Sequence, residues 1–162
     1  EKEVSDNILR LVTFYTRNLA VPARRNVDAP QVLAGKNLFF QAGCQGCHTP
    51  QFTTASAGAE PELANKLIRP YSDLLLHDMG PGLADQRSEF AAGGQDWRTA
   101  PLWGLGLTET VSGHTQLLHD GRARNLLEAV LWHGGEAQAA RDQVLTFNAE
   151  QRAALLAFLN SL

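Results

Sequence analysis

The chain has 162 residues, of which 44% are apolar and 19% are charged, as expected for one globular domain and not for a disordered chain. Its 17 acidic residues outnumber the 14 basic ones, and the formal net charge of −3 argues against a nucleic-acid-binding protein. No apolar run reaches the length of about 18 residues that a membrane-spanning helix needs.

Two helices are predicted before the first cysteine. In residues 4–19, apolar side chains recur at offsets of three and four, which is typical of an amphipathic helix with Ser5 or Asp6 as its N-cap. A second helix is predicted for residues 30–41, with Pro30 in its first turn. The residues expected on its apolar face are Val32, Leu33, Leu38, Phe39 and Phe40.

The middle and the end of the chain differ in composition. Residues 49–112 are rich in Gly, Pro and short polar runs, which predicts long loops with short helices and a small hairpin. Residues 125–133 and 136–145 are predicted helices, and a third helix begins at Asn148, with Gln151 completing a capping box. Its residues expected to pack inward are Ala153, Leu155, Leu156, Phe158 and Leu159. These patterns predict a single, mainly α domain over residues 1–162, without a parallel sheet.

The motif Cys44-Gln45-Gly46-Cys47-His48 is the attachment signature of a c-type haem. Two thiols separated by two residues reach the two vinyl groups on one porphyrin edge, and the following histidine reaches the iron. We therefore expect one covalent haem c, bound by Cys44 and Cys47 with His48 as an axial ligand. Covalent attachment occurs on the periplasmic side of bacterial membranes, so we expect an exported, periplasmic protein. Because the chain starts at Glu1 without a signal peptide, a mature product or a fragment is expected.

Two other uses of the cysteine pair are disfavoured, and a third interpretation, a surface disulfide or a chance match to the motif, stays open. A thioredoxin-like redox pair would follow a strand, whereas here a helix precedes it. A structural zinc site would need two more ligands at matching spacing, and the chain has no third cysteine.

Spacing alone leaves the second axial ligand open. Met79, the only methionine, has a claim because haem proteins use methionine as a ligand. His133 has another, because it ends a predicted helix and would project from an ordered element. The remaining candidates are His77, His114 and His119, and a vacant second position is the last alternative.

Long phrases of the sequence resemble one bacterial family, the di-haem oxidoreductases, also labelled thiol oxidoreductases. They lie in residues 19–25, 71–85, 97–106, 118–124 and 131–137, and the resemblance that they carry extends over nearly the whole chain. The family is similar, more distantly, to the di-haem cytochrome c peroxidases and the MauG enzymes. The resemblance implies a cytochrome c-like helical domain with long loops around one haem.

The same resemblance implies roles for particular residues. His133 falls where the distant relatives have the distal ligand, and Met79 falls where they have an apolar residue, so His133 is implied as the second iron ligand. Those relatives carry two haem motifs and this chain carries one, so we expect the C-terminal part of a longer chain. A second haem domain and a redox protein or small electron donor or acceptor are then the implied partners.

Several side chains outside the motif are candidates for the haem surroundings. Arg98, Arg122 and Arg124 are candidates to pair with the haem propionates, because guanidinium groups bind carboxylates in bidentate fashion. Trp97, Trp103 and Trp132 are expected either to pack on the porphyrin and relay electrons or to be ordinary core residues. His77, His114 and His119 are expected to make structural hydrogen bonds. The residues expected to line the pocket are Phe39, Phe40, Leu102, Leu105 and Leu118.

Three functions agree with these residues. Two strong axial ligands would make this an electron-transfer domain of a di-haem oxidoreductase, which is the function we expect. A displaceable distal ligand with His77 or Asp78 as an acid–base group would make it a peroxidase-type haem. A ligand-sensing module is the third possibility. The sequence leaves open whether the isolated chain is an enzyme.

Overall fold

The computed structural model describes residues 2–56 and 60–162. This part of the chain is 41% helical, with six α-helices and a few short strands, so the mainly helical prediction is confirmed. The helices are α1 (Asp6–Arg17), α2 (Pro30–Gln41), α3 (Thr108–Ser112), α4 (Leu126–Leu131), α5 (Gln138–Leu145) and α6 (Ala149–Ser161). Single 3₁₀ turns cover Cys44–Gly46, Leu105–Leu107 and Gly135–Ala137.

The middle of the chain holds two small antiparallel sheets where one hairpin was expected. Strand β1 (Phe52–Thr53) pairs with β2 (Leu67–Ile68), and β3 (Leu76–Asp78) pairs with β4 (Asp96–Arg98). In the second sheet His77 lies opposite Trp97. This sheet positions His77 within β3 and Met79 directly after it.

The hydrophobic core lies where α2 crosses α6. Gly35 of α2 lies so close to the backbone of α6 that a Cβ atom at Gly35 would be 1.9 Å from the carbonyl oxygen of Ala154. The rings of Phe39 and Phe158 pack with centroids 5.2 Å apart, and Tyr71 packs edge-on against both. The core also includes Val32, Leu38, Val144, Phe147, Leu155, Leu159 and Leu162.

Three side chains assigned to buried faces are exposed instead. Leu33 and Phe40 of α2 are 47% and 39% exposed, and Ala153 of α6 is also exposed. The predicted start of α6 is confirmed, since Asn148 and Gln151 form the capping box through two hydrogen bonds of 2.9 Å.

Helix α1 has a clear apolar face but buries none of its residues. Ser5 is its N-cap, and side chains such as Leu11 and Tyr15 are 49% and 66% exposed. The amphipathic pattern therefore predicted this helix correctly. The other described elements of the fold do not cover its apolar face. Within the described residues no helix has both the length and the apolar character needed to cross a membrane.

Candidate functional site

The Cys-x-x-Cys-His motif forms a tight turn directly after α2. Gly43 adopts a left-handed conformation with φ of 85°, and the 3₁₀ turn that follows contains Cys44. The backbone N–H of His48 donates to the carbonyl oxygen of Cys44 at 2.9 Å, which closes the turn. Both cysteines are free thiols on this turn.

The two thiols are not poised for redox chemistry of their own. Burial raises the pKa of Cys44 to about 11. Burial, followed by the charges of Asp73 and Glu136, also raises the pKa of Cys47. Reactive thiol pairs have lowered pKa values because the thiolate is the nucleophile. The electrostatics of the site therefore agree with cysteines that hold a group covalently, and they disfavour a thioredoxin-like pair.

The imidazole of His48 is oriented by the backbone of a distant loop. Its Nδ1 lies 2.9 Å from the carbonyl oxygen of Tyr71, which can only accept, so Nδ1 carries the hydrogen and Nε2 the lone pair. Tyr71 is buried and has a φ of 52°, a left-handed conformation unusual for a bulky residue. Burial lowers the pKa of His48 to about 4, so the ring is neutral near pH 7. A neutral imidazole with Nδ1 fixed in this way is what a metal-ligating histidine requires.

His133 has the same arrangement at the end of α4. Its Nδ1 lies 2.7 Å from the carbonyl oxygen of Ala129, one helical turn earlier, which again leaves the lone pair on Nε2. Burial lowers the pKa of His133, so this ring is also neutral near pH 7. Helix α4 begins at the N-cap Asn125, whose side chain accepts from the backbone N–H of Glu128.

The rings of these two histidines lie close together. Their ring centroids are 6.4 Å apart and their planes are inclined by 50°. In residues 2–56 and 60–162, Nε2 of neither ring makes a hydrogen bond. Two metal–nitrogen bonds of about 2 Å and two ring radii of about 1.1 Å place centroids about 6 Å apart, close to the observed separation. His48 and His133 therefore fit the axial ligation of one haem iron, and the cysteines on the same turn as His48 fit its covalent attachment.

A second cluster of titratable groups adjoins the motif. Nε2 of His77 lies 2.9 Å from a carboxylate oxygen of Asp73, and Nδ1 lies 2.8 Å from one of Glu136. The hydrogen bonds that His77 donates to the carboxylates of Glu136 and Asp73 raise the pKa of His77. The Sγ of Cys47 and ligand atoms of Asp73 and His77 lie within 4.8 Å of one another. Since carboxylates already occupy both nitrogens of His77, this cluster is not arranged as a metal site.

Comparison with known proteins agrees with the chemistry of this site. The family described as "Di-haem oxidoreductase, putative peroxidase" matches residues 1–162, the whole chain. The chain belongs to the di-haem oxidoreductase family. Membership implies haem binding, oxidoreductase or peroxidase chemistry and a parent with two haems. No curated protein and no solved structure matches the chain.

Met79, the other candidate ligand in this di-haem oxidoreductase chain, lies close to Gly134, the residue after His133. It is partly buried, and its backbone N–H donates to the carbonyl oxygen of Gln95 at 2.9 Å. A Cβ on Gly134 would lie 3.0 Å from the carbonyl oxygen of Met79, so this residue packs beside the glycine that follows His133. The structure thus brings both sequence-predicted candidates to the same region.

The three arginines proposed for the haem propionates lie in different environments. Arg122 is bound by Asp120 through Nε at 2.6 Å and lies 5.0 Å from the ring centroid of Trp132, next to His133. Arg98 is exposed on β4. Arg124 is 82% exposed and pairs with Glu128. Among the three, Arg122 is the one that lies beside Trp132, the residue before His133.

Arg24 and Arg25 had no predicted role, although they belong to the stretch 19–25 that contributes to the family resemblance. Arg24 donates to the hydroxyl of Ser161 at 2.8 Å and lies 5.3 Å from the ring centroid of Phe158. Arg25 donates to the carbonyl oxygen of Asn160 at 2.6 Å. Within the described residues, Arg24 Nε and one terminal nitrogen of Arg25 are buried without a partner. These arginines attach the segment before α2 to the end of α6.

Some of the remaining candidates pack against other side chains, and others are exposed. Trp97 stacks on His119 with centroids 3.3 Å apart and donates from its indole nitrogen to the carbonyl oxygen of Leu83. His114 is exposed. Trp103 borders a cavity of about 500 Å³ together with Arg24. Of the residues expected to line the pocket, Phe39 is buried with its ring centroid 6.4 Å from that of His48; Leu102 and Leu105 pack against the core, Leu118 is partly buried and Phe40 is exposed.

Proposed function

We propose that this chain is a c-type cytochrome domain that carries one covalent haem and transfers electrons within a di-haem oxidoreductase. The observation that carries the proposal is the pair of neutral imidazoles, His48 and His133, whose ring centroids are 6.4 Å apart, with His48 directly after the free thiol of Cys47. Family membership supports haem as the group, and the attachment motif supports its covalent c-type form.

The residues have separate tasks in this proposal. Cys44 and Cys47 hold the haem through thioether bonds, while His48 and His133 ligate the iron through Nε2. When bound, the haem supplies one-electron chemistry by cycling between ferric and ferrous iron. The carbonyl oxygens of Tyr71 and Ala129 accept from Nδ1 of the two ligands, which fixes both rings and increases the basicity of Nε2. Two histidine ligands favour a lower potential than histidine with methionine.

The proposal includes the setting of the domain. We place it in a cytochrome c-like fold, in the periplasm, with a second haem domain of the parent as its electron-transfer partner. The family description and the presence of one attachment motif in a di-haem family support that partner. The amphipathic, unburied face of α1 agrees with a chain that has further protein to contact.

The second candidate is a peroxidase-type haem, which the family description favours. It differs in one physical respect, since a peroxide must reach the iron and His133 would have to be displaceable. Absorption spectra distinguish the two functions. A six-coordinate low-spin ferric haem that binds cyanide slowly supports electron transfer, whereas a high-spin haem that binds cyanide readily supports peroxidase chemistry.

The test uses the chain expressed with haem-attachment machinery. The haem should stay with the denatured chain in acid–acetone, because thioether bonds resist extraction; extraction of the haem would refute covalent attachment. Replacing His133 with Ala should make the haem high-spin and open it to cyanide and carbon monoxide. The matched variant Met79→Leu should keep the parent spectrum, since its volume is similar and no iron bond is lost. The opposite result for the two variants would make Met79 the ligand.

A further inference from the structure

We propose that His77 is a positioning residue. With Asp73 and Glu136, it holds the segment that carries His133 against residues 71–78, whose backbone is hydrogen-bonded to Cys47. This clamp sets the spacing between the two axial imidazoles, and it rests on the proposed function of His48 and His133 as iron ligands. Asp73 and His77 are four positions apart, whereas Glu136 lies 59 positions after His77, and none of the three belongs to the attachment motif.

The centre of the clamp is an imidazole held between two carboxylates. Asp73 Oδ2 and Glu136 Oε2 lie 2.9 and 2.8 Å from the two nitrogens of His77. An ionised carboxylate only accepts hydrogen bonds, so both ring nitrogens carry hydrogen and His77 is cationic in this arrangement. The His77 and Asp73 side chains are only 15% and 12% exposed, which keeps water from competing well with these charge-assisted bonds.

The clamp reaches the proximal side through Asp73. The backbone N–H of Asp73 donates to the carbonyl oxygen of Cys47 at 2.8 Å. The adjacent Ser72 donates from its backbone to Thr49, and the carbonyl oxygen of Tyr71 accepts from His48. A displacement of Asp73 would therefore change the position of the Tyr71 carbonyl that orients the His48 imidazole.

The clamp reaches the distal side through Glu136, which follows His133 by three positions in the chain. Besides accepting from His77, Glu136 accepts from the backbone N–H of Asp78 at 3.1 Å. The adjoining backbones leave no slack, because a Cβ on Gly135 would lie 2.1 Å from the carbonyl oxygen of Asp78. Charge-assisted hydrogen bonds and close packing thus join strand β3, which contains His77, to the segment that contains His133.

The test compares variants of the haem-loaded chain by ferric spin state and by the rate of cyanide binding. We expect His77→Ala and Glu136→Ala to produce a high-spin fraction and to bind cyanide about tenfold faster or more, as losing hydrogen bonds to a charged group allows. Glu136→Gln keeps an oxygen for the Asp78 N–H and should stay closer to the parent. Asp142→Ala, which removes an exposed ion pair with Arg141 on α5, is the matched control and should equal the parent.

The combined variant of His77 and Glu136 separates positioning from general damage. If the two residues act as one clamp, its effect on cyanide binding should be no larger than that of the stronger single variant. A low-spin parent whose His77→Ala and Glu136→Ala forms keep the parent spectrum and cyanide rate would overturn the clamp while leaving the proposed function intact. A parent unaffected by His133→Ala would instead overturn the axial ligation and the clamp with it. Since Glu136 is 56% exposed, its variants keep the test decisive if His77→Ala does not fold.

Discussion

The crossing of α2 and α6 can be tested by adding a single methyl group at Gly35. In Gly35→Ala the new Cβ would lie 1.9 Å from the carbonyl oxygen of Ala154, 2.5 Å from its carbonyl carbon and 2.8 Å from Cβ of Phe158. Two of these atoms belong to the backbone of α6, so no side-chain rotation relieves the overlap. The helices must separate, and separation also loosens the ring contact between Phe39 and Phe158.

The expected loss follows from two opposing effects. Overpacking of a close-packed core costs about 1–3 kcal/mol, and a clash with a backbone belongs at the upper end of that range. Alanine is favoured over glycine in a helix interior by about 1 kcal/mol, which offsets part of the loss. We therefore expect the free energy of unfolding to fall by about 2 kcal/mol, or the melting temperature by about 4–8 °C for a domain of this size.

The measurement is denaturant unfolding of the haem-loaded chain, followed by far-ultraviolet circular dichroism. Gly82→Ala is the matched control, because no atom lies within 4 Å of a Cβ built at Gly82. Its stability should stay within about 0.5 kcal/mol of the parent. If Gly35→Ala were as stable as Gly82→Ala, the helices would not cross at the distance described.

Three further outcomes are expected. Leu11→Ser on the unburied face of α1 should change the free energy of unfolding by less than about 0.5 kcal/mol, and a loss of several kcal/mol by thermal melting would show that α1 packs on the domain. Gly43→Ala should cost about 1 kcal/mol in denaturant unfolding, because φ is 85° and no neighbour lies within 4 Å, so conformation alone opposes the methyl group. The carboxylates raise the pKa of His77, so its stabilisation is complete below the unfolded pKa of about 6.5 and fades as pH rises through the folded value. His77→Gln should therefore lose more stability at about pH 5.5 than at about pH 9, and an equal loss at both would contradict the protonated clamp.

Local signals in the sequence were sufficient for the elements closest to the site. The bounds of α2 follow from Pro30 at its start and the residues before Gly43, and the capping box at Asn148 fixes the start of α6. Periodicity was less reliable for individual side chains, as the exposed Leu33 and Ala153 show. It predicts which face of a helix is apolar, but it does not predict how much of that face the neighbouring element covers.

The supporting groups of the site could not be predicted from the sequence. The acceptor for His48 is a backbone carbonyl 23 residues away, and any residue type offers that atom. His77 and Glu136 are 59 residues apart, and their encounter depends on the fold of both loops. The motif thus suggested the chemistry proposed for Cys44, Cys47 and His48, whereas the contacts of His77 are visible only in the tertiary structure.

The crossing of α2 and α6 also has a consequence for the order in which the chain assembles. The attachment motif directly follows α2, while α6 lies at the other end of the described chain, so their contact closes a loop containing most of the domain. Contacts of such high sequence separation form late and slow folding, because loop-closure entropy must be lost first. Until α6 arrives, Phe39 lacks the ring of Phe158 against which it packs. We therefore expect the thiols of Cys44 and Cys47 to be accessible early in folding, before the core around Phe39 has closed.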